Sequence, residues 1–157
     1  MKYKLLGTLF FVVFSHASAA AYAIKCQYSN VGVDTVSITI IDIGSEAYQI
    51  YEHDTGENFI RLKLKAVTGL SYEYHSVGTN ATSTIIVPKS ADYIEESVPY
   101  SAGNGLSLEH NTTYNQKCST FQENEVRKLG EIAQGHILKR ENTQRKGYSN
   151  DWDARGL

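Results

Sequence analysis

Apolar and polar residues alternate along most of the chain between residues 24 and 121. Residues 36–40 alternate apolar with serine or threonine, and their apolar members are β-branched, which is typical of a half-buried strand. Gly44 interrupts the run, so residues 47–52 are predicted to pair back as a hairpin. About eight or nine such strands, joined by connections too short for parallel crossovers, predict an all-β fold, either an antiparallel β-barrel or a β-sandwich.

The clearest hairpin signal starts at residue 59. Alternate residues from Ile60 to Ala66 form an apolar face, and the residues between them are basic. A three-residue loop at residues 67–69, with its glycine in the left-handed conformation, would place Leu64 opposite Tyr72 and a lysine opposite Glu73. A two-residue loop would place Leu64 opposite Glu73 instead. The apolar face and the charge pairing both favour the three-residue loop.

The pattern changes to helical spacing near the end of the chain. Thr120 and Glu123 form a predicted capping box, and apolar residues then recur at intervals of three and four. We predict an amphipathic helix over residues 122–139, packed on the β domain of residues 24–121. The chain beyond is polar, and residues 140–157 are predicted to be a disordered tail.

The two cysteines lie at the two ends of the predicted β domain. Cys26 precedes the first alternating run, and Cys118 lies in the last, residues 114–121. An even pair in an exported chain predicts one disulfide, and the wide separation argues against a redox pair, which would show close Cys-x-x-Cys spacing.

The first 23 residues have the features of a secretory signal peptide. Two lysines precede an apolar run from Leu5 to Phe14, and small residues offer cleavage after Ala19 or after Ala23. We assign residues 1–23 to the signal peptide, which predicts an exported protein, periplasmic or extracellular. Since no later stretch approaches about 20 apolar residues, the mature chain is predicted to have no membrane anchor.

The predicted mature chain is acidic. Removing the two leader lysines from 15 basic and 17 acidic residues leaves 13 and 17, a net charge of −4. Residues 24–121 hold 6 basic and 11 acidic residues, a net of −5, whereas residues 122–157 hold 7 and 6. Nucleic acid and anionic membranes need a positive face, so neither is a predicted partner, and a cationic protein is favoured.

Residues that could catalyse a reaction or bind metal are scattered. His53, His75, His110 and His136 are never two or four residues apart, so no zinc site, and no other metal or cofactor, is predicted. His53 lies between two acidic residues, but adjacent strand residues point to opposite faces, which indicates a solvated loop. We therefore predict no catalytic residues and no enzymatic activity.

Tyrosine is the residue type that best suits a binding surface. Nine tyrosines follow residue 23, and each supplies amphipathic contact area at small entropic cost. Tyr72 and Tyr74 share the apolar face of the predicted hairpin and are assigned to packing. The predicted binding surface consists of Tyr51, Tyr93, Tyr100 and, in the tail, Trp152.

Together these features favour an exported, non-enzymatic protein that binds another protein or a glycan. A concrete form is an acidic inhibitor or scavenger of a cationic secreted protein. The placing of Cys26 and Cys118 at the two ends of a small β domain is similar in architecture to periplasmic inhibitors of lysozyme, without a shared motif. Two alternatives stay open: a structural subunit of a surface or secreted assembly joined by strand addition, and a small ligand-carrying barrel or hydrolase.

Overall fold

The computed structural model describes residues 21–29, 35–78, 81–101 and 107–153, with side chains described up to residue 145. Within these ranges the chain forms nine strands followed by one helix. Their bounds are β1 Tyr22–Tyr28, β2 Val36–Asp42, β3 Ala47–His53, β4 Gly56–Val67, β5 Ser71–Val77, β6 Thr84–Pro88, β7 Ile94–Ser101, β8 Ser107–Tyr114, β9 Gln116–Thr120 and α1 Glu123–Asp153.

The nine strands form a single antiparallel sheet in the order β8-β7-β6-β5-β4-β3-β2-β1-β9. The sheet curls, and side chains on its concave face therefore meet across it. Tyr22 of β1 forms a hydrogen bond with Tyr74 of β5, and Tyr51 of β3 forms one with Glu96 of β7. The result is a half-barrel. Its two edge strands, β8 and β9, are consecutive in the chain, and only Asn115 lies between them. The predicted antiparallel all-β fold is confirmed, as one curled sheet and not as two stacked ones.

The two faces of the sheet bury separate apolar clusters. The concave face, which we call the inner face, buries residues from eight strands, including Ile24, Ile38, Ile85 and Ile94. The opposite, outer face of β1–β4 is covered by α1, whose Val126, Ala133 and Ile137 pack on Ile41, Tyr48, Ile50 and Phe59. The near-continuous apolar run of β2 is explained by this arrangement, since β2 is covered on both faces.

The predicted disulfide is confirmed. Cys26 in β1 and Cys118 in β9 are bonded, with their Cα atoms 4.1 Å apart and 92 positions apart in sequence. The bond fastens the last strand to the first, at the place where β9 adds to the edge of the sheet.

The predicted register of the β4–β5 hairpin is wrong by two residues. Leu64 lies opposite Tyr74, not Tyr72, because the turn closes between Thr68 and Ser71, whose backbone N–H···O bond is 2.9 Å long. The Thr68 hydroxyl accepts hydrogen bonds from the N–H groups of Leu70 and Ser71, and Gly69 does not have the left-handed conformation predicted for it.

A bulge in β4 contributes to the same correction. The register shifts between Leu64 and Ala66, so Ala66 lies opposite Glu73 on the outer face, and Val67 takes its place on the inner face. Upstream of the bulge the error of two residues preserves the faces, since side chains alternate with a period of two. Leu62 and Leu64 therefore keep the face that was predicted for them.

The helix differs from its prediction at both ends. The Glu125 side chain accepts a hydrogen bond from the Gln122 N–H at 2.9 Å, so Gln122 caps the helix while Thr120 belongs to β9. At the other end we predicted a stop at residue 139 and disorder over 140–157, but α1 continues to Asp153, and residues 154–157 lie outside the described part. An ion pair between Arg61 and Glu141, 3.5 Å, ties this extension to β4.

Gly130 allows α1 to approach β2 closely. A Cβ atom placed on Gly130 would lie 2.8 Å from Cγ2 of Ile43, whereas a Cβ on Gly135 would meet nothing within 4 Å. Cγ2 of isoleucine is attached directly to a branched, stiff carbon and cannot swing aside cheaply. Gly130 thus costs helix propensity but permits the contact that covers the outer face.

We expect Gly130→Ala and Gly135→Ala to shift stability in opposite directions. Gly135→Ala should stabilise by up to about 1 kcal/mol through helix propensity. Gly130→Ala gains the same propensity but forces the helix off Ile43, at a cost of about 1 to 3 kcal/mol. Urea unfolding of both variants measures the difference, and Gly130→Ala combined with Ile43→Ala should recover part of the loss. Equal stabilisation by both substitutions would contradict the close approach.

Candidate functional site

The interior of the half-barrel contains a cluster of polar side chains around Glu96. One carboxylate oxygen of Glu96 accepts a hydrogen bond from Nε2 of Gln49 at 3.0 Å. The other accepts hydrogen bonds from the hydroxyls of Tyr51 and Tyr114, the latter at 3.2 Å. These partners come from β3 and β8, while Glu96 belongs to β7, so the cluster spans the curled sheet.

Burial controls the electrostatics of this cluster. Glu96 is 4% exposed, and burial raises the pKa of its carboxyl, an effect that hydrogen bonds from Gln49 and Tyr114 offset in part. Burial likewise raises the pKa of Tyr114, and the neighbouring Glu96 adds to the shift. Oε1 of Gln49 is buried without a hydrogen-bond partner among the described residues. Three donors and the two carboxylate oxygens of Glu96 are thus hydrogen-bonded to one another, which suits a role in holding the curled sheet together.

The raised pKa predicts that Glu96 lowers stability as pH rises. The folded state holds the Glu96 proton more tightly than the unfolded chain, in which glutamate titrates near 4.5. The contribution of Glu96 is therefore fully favourable below that pH and declines as pH rises toward the folded pKa. We expect the stability of the protein relative to its Glu96→Gln variant to fall as pH rises above about 4.5.

Urea unfolding at successive pH values measures this difference. The control is Glu95→Gln, an exposed change on the opposite face of the same strand. The stability difference between this variant and the unaltered protein should not fall with pH in the same way. If Glu96→Gln gave a flat difference, Glu96 would titrate alike in the folded and unfolded states.

A second interior cluster lies at the other end of the same face. The Tyr74 hydroxyl donates to Oδ2 of Asp42 at 2.8 Å and lies 2.9 Å from the Tyr22 hydroxyl. The Tyr22 ring stacks on Tyr72 with 5.0 Å between centroids. The other Asp42 oxygen accepts the Gly44 N–H at 2.7 Å and fixes the β2–β3 turn. This cluster joins β1, β2 and β5 across the half-barrel.

The outer face of β5–β8 differs from the rest of the surface in charge. These four strands contain four glutamates and neither lysine nor arginine. Glu73, Ile86, Glu95 and Thr113 are successive partners across them, so two carboxylates flank Ile86 in one row. Since adjacent strands lie about 4.8 Å apart, the backbones at Glu73 and Glu95 are separated by about 10 Å.

A shallow groove of about 300 Å³ lies over β6, β7 and β8. Glu109 lies in it and accepts a hydrogen bond from the Ser97 hydroxyl at 3.2 Å. Glu95 and Glu109 are exposed, and helix α1 packs on the other half of the sheet. We call this surface the outer acidic face; its members are Glu73, Thr84, Ile86, Glu95, Ser97, Glu109, Asn111 and Thr113.

The structure separates the residues of the predicted binding surface. Tyr51 points into the half-barrel and bonds Glu96. Tyr93 is half-buried just before β7, and Tyr100, 49% exposed, lies near the end of that strand. The side chain of Trp152 lies outside the described residues. None of the three described tyrosines belongs to the outer acidic face.

The histidines are also dispersed. His53 is exposed at the end of β3, and the adjacent Glu52 forms an ion pair with Lys25. Nε2 of His75 lies 3.1 Å from Oε1 of Glu73. The His136 ring stacks on the Phe59 ring, with 4.2 Å between the ring centroids. Over the described ranges, no three histidine, cysteine, aspartate or glutamate side chains are grouped to hold a metal ion.

Comparison with known proteins adds no assignment. No family model, curated protein or solved structure matches this chain. In the described part of the chain, no helix combines the length and apolar character needed to cross a membrane.

Proposed function

We propose that this chain is an exported, non-enzymatic binding protein that holds a cationic secreted protein against its outer acidic face, as an inhibitor or a scavenger. The observation that carries the proposal is the charge of β5–β8, four strands with four glutamates and neither lysine nor arginine. Three of those glutamates, Glu73, Glu95 and Glu109, lie on the outer face, while Glu96 lies inside.

The distribution of cover on the sheet supports the same surface. Helix α1 buries the outer face of β1–β4, and its residues 123–145 include 5 basic and 4 acidic residues, so that side has no excess of negative charge. A cationic partner would be steered toward the more acidic β5–β8. Ile86, partly buried between Glu73 and Glu95, offers an apolar centre within an acidic rim.

The disulfide and the position of β1 support the export part of the proposal. A disulfide persists in the oxidising compartments outside the cytosol. Of the two cleavage sites, the one after Ala19 would leave β1 whole. Cleavage after Ala23 would remove Tyr22 and place a charged amino group on Ile24, which is fully buried. We therefore favour cleavage after Ala19.

The experiment compares two variants of equal net charge against basic secreted hydrolases, lysozyme included, by biolayer interferometry. Glu95→Gln with Glu109→Gln neutralises the outer acidic face, whereas Glu57→Gln with Glu131→Gln neutralises two exposed glutamates elsewhere. We expect the first pair alone to weaken binding, by roughly tenfold, and added salt to weaken binding by the unaltered protein. Equal weakening by both pairs, salt-independent binding, or no binding to any basic hydrolase would refute the proposal.

A further inference from the structure

Strand β4 is longer than its neighbour β3. The pairing of the two strands runs from His53 opposite Gly56 to Ala47 opposite Leu62. Residues 63–67 of β4 continue beyond that point, and among the described strands they pair with β5 alone. We call residues 63–67 the β4 overhang. One edge of its backbone is open, and an open edge can pair with another chain.

The overhang exposes apolar side chains on the inner face. Leu64 is 37% exposed and Val67 is 55% exposed, and the bulge places both on the same face. Leu70, 82% exposed, lies at the tip of the same hairpin. These residues leave the end of the half-barrel with an apolar surface directly beside an open strand edge.

Lys63 lies on the outer face of the overhang, opposite His75 of β5, and Lys65 is the extra residue of the bulge. Lys63 and Lys65 are both exposed, and neither takes part in an ion pair with the described residues. A cleft of about 410 Å³ separates the start of the overhang from the β2–β3 turn at residues 44–47. That turn is held toward the helix, because Glu46 accepts a hydrogen bond from Gln134 at 3.1 Å. The turn therefore leaves a gap beside the strand edge.

We propose that the β4 overhang binds an extended acidic segment of a partner protein as an added strand. Directly opposed residues of paired strands share a face, so the segment would set a carboxylate beside Lys63 and an apolar side chain beside Leu64. This interaction is separate from the outer acidic face, which has the opposite charge and lies on other strands.

The charges argue against a second copy of this chain as the occupant. Antiparallel pairing of two overhangs with Leu64 opposite Leu64 would set Lys63 of each copy against Lys65 of the other, and like charges in that position repel. The edge strand β8 is a weaker alternative site, since its exposed residues are mostly polar.

The first test uses a fluorescein-labelled peptide of alternating valine and glutamate, with fluorescence anisotropy as the readout. We expect Lys63→Glu with Lys65→Glu to weaken binding by roughly tenfold or more, and to create binding of the matching valine and lysine peptide at that edge. The control, Lys128→Glu with Lys139→Glu, changes net charge equally on the exposed side of α1 and should leave binding intact. Equal loss in the control would overturn the proposal.

The second test distinguishes strand pairing from simple charge attraction. Two further valine and glutamate peptides are N-methylated at alternate residues, one set on the valines and the other on the glutamates. An added strand points only one of these sets of N–H groups at its neighbour, so one peptide should lose binding and the other should keep it. If both peptides bound as well as the parent, the overhang would not act by strand addition. Neither result depends on whether the outer acidic face binds a cationic protein.

Discussion

Replacing Cys26 and Cys118 with alanine is expected to destabilise the protein by about 4 to 5 kcal/mol. In the chain-entropy model this is the contribution of a cross-link that closes a loop of about 90 residues. The observed separation is 92 positions, and the bond joins the first strand to the last. A loss of that size is comparable with the whole stability of many small domains, about 5 to 15 kcal/mol.

Urea unfolding of the oxidised protein, the reduced protein and the double alanine variant measures this loss. Reduction and substitution should cost similar amounts, because both release the same loop. Amide hydrogen exchange should show the greatest loss of protection in β9, which among the described strands pairs with β1 alone. A variant within about 1 kcal/mol of the oxidised protein would show that the sheet closes without the bond.

Replacing Glu96 with leucine is expected to cost about 3 kcal/mol or more. The substitution leaves Gln49, Tyr51 and Tyr114 without their buried acceptor. Each unsatisfied buried donor costs about 1 to 3 kcal/mol, although rearrangement within the cluster recovers part of this. The loss should appear in urea unfolding at neutral pH.

A double-mutant cycle with Gln49→Leu separates the lost hydrogen bond from lost packing. Removing both members of a buried polar pair is less costly than leaving one of them unpartnered. Glu96→Leu with Gln49→Leu should therefore cost clearly less than the sum of the two single changes. Strictly additive costs would mean that Gln49 and Glu96 are energetically independent.

The sequence predicted the fold well because its signals are local or strongly patterned. The alternation in residues 36–40 and the break at Gly44 identified the β2–β3 hairpin. The register of the β4–β5 hairpin was not predictable in the same way, since it depends on a bulge at Lys65 and on the Thr68 hydroxyl. A bulge leaves no distinct residue type in the sequence.

The candidate site was predicted less well because it depends on contacts between distant strands. Tyr51 was assigned to a surface, yet the curl of the sheet brings Glu96 to its hydroxyl from 45 positions away. The outer acidic face had one signal that sequence analysis could have used, the absence of lysine and arginine from four consecutive strands. Glu95 and Glu96 are adjacent and therefore lie on opposite faces, and the buried contacts of Glu96 identify Glu95 as the outward one.

Nuclear magnetic resonance mapping of the oxidised, isotope-labelled protein, with a short oligolysine peptide as the probe, shows whether the outer acidic face binds cations. If the outer acidic face binds cations, amide shifts should concentrate at Glu73, Ile86, Glu95 and Glu109, and should vanish in the Glu95→Gln, Glu109→Gln variant. Shifts that centre on α1 or spread evenly over all acidic residues would show that the outer acidic face is not the cation-binding surface.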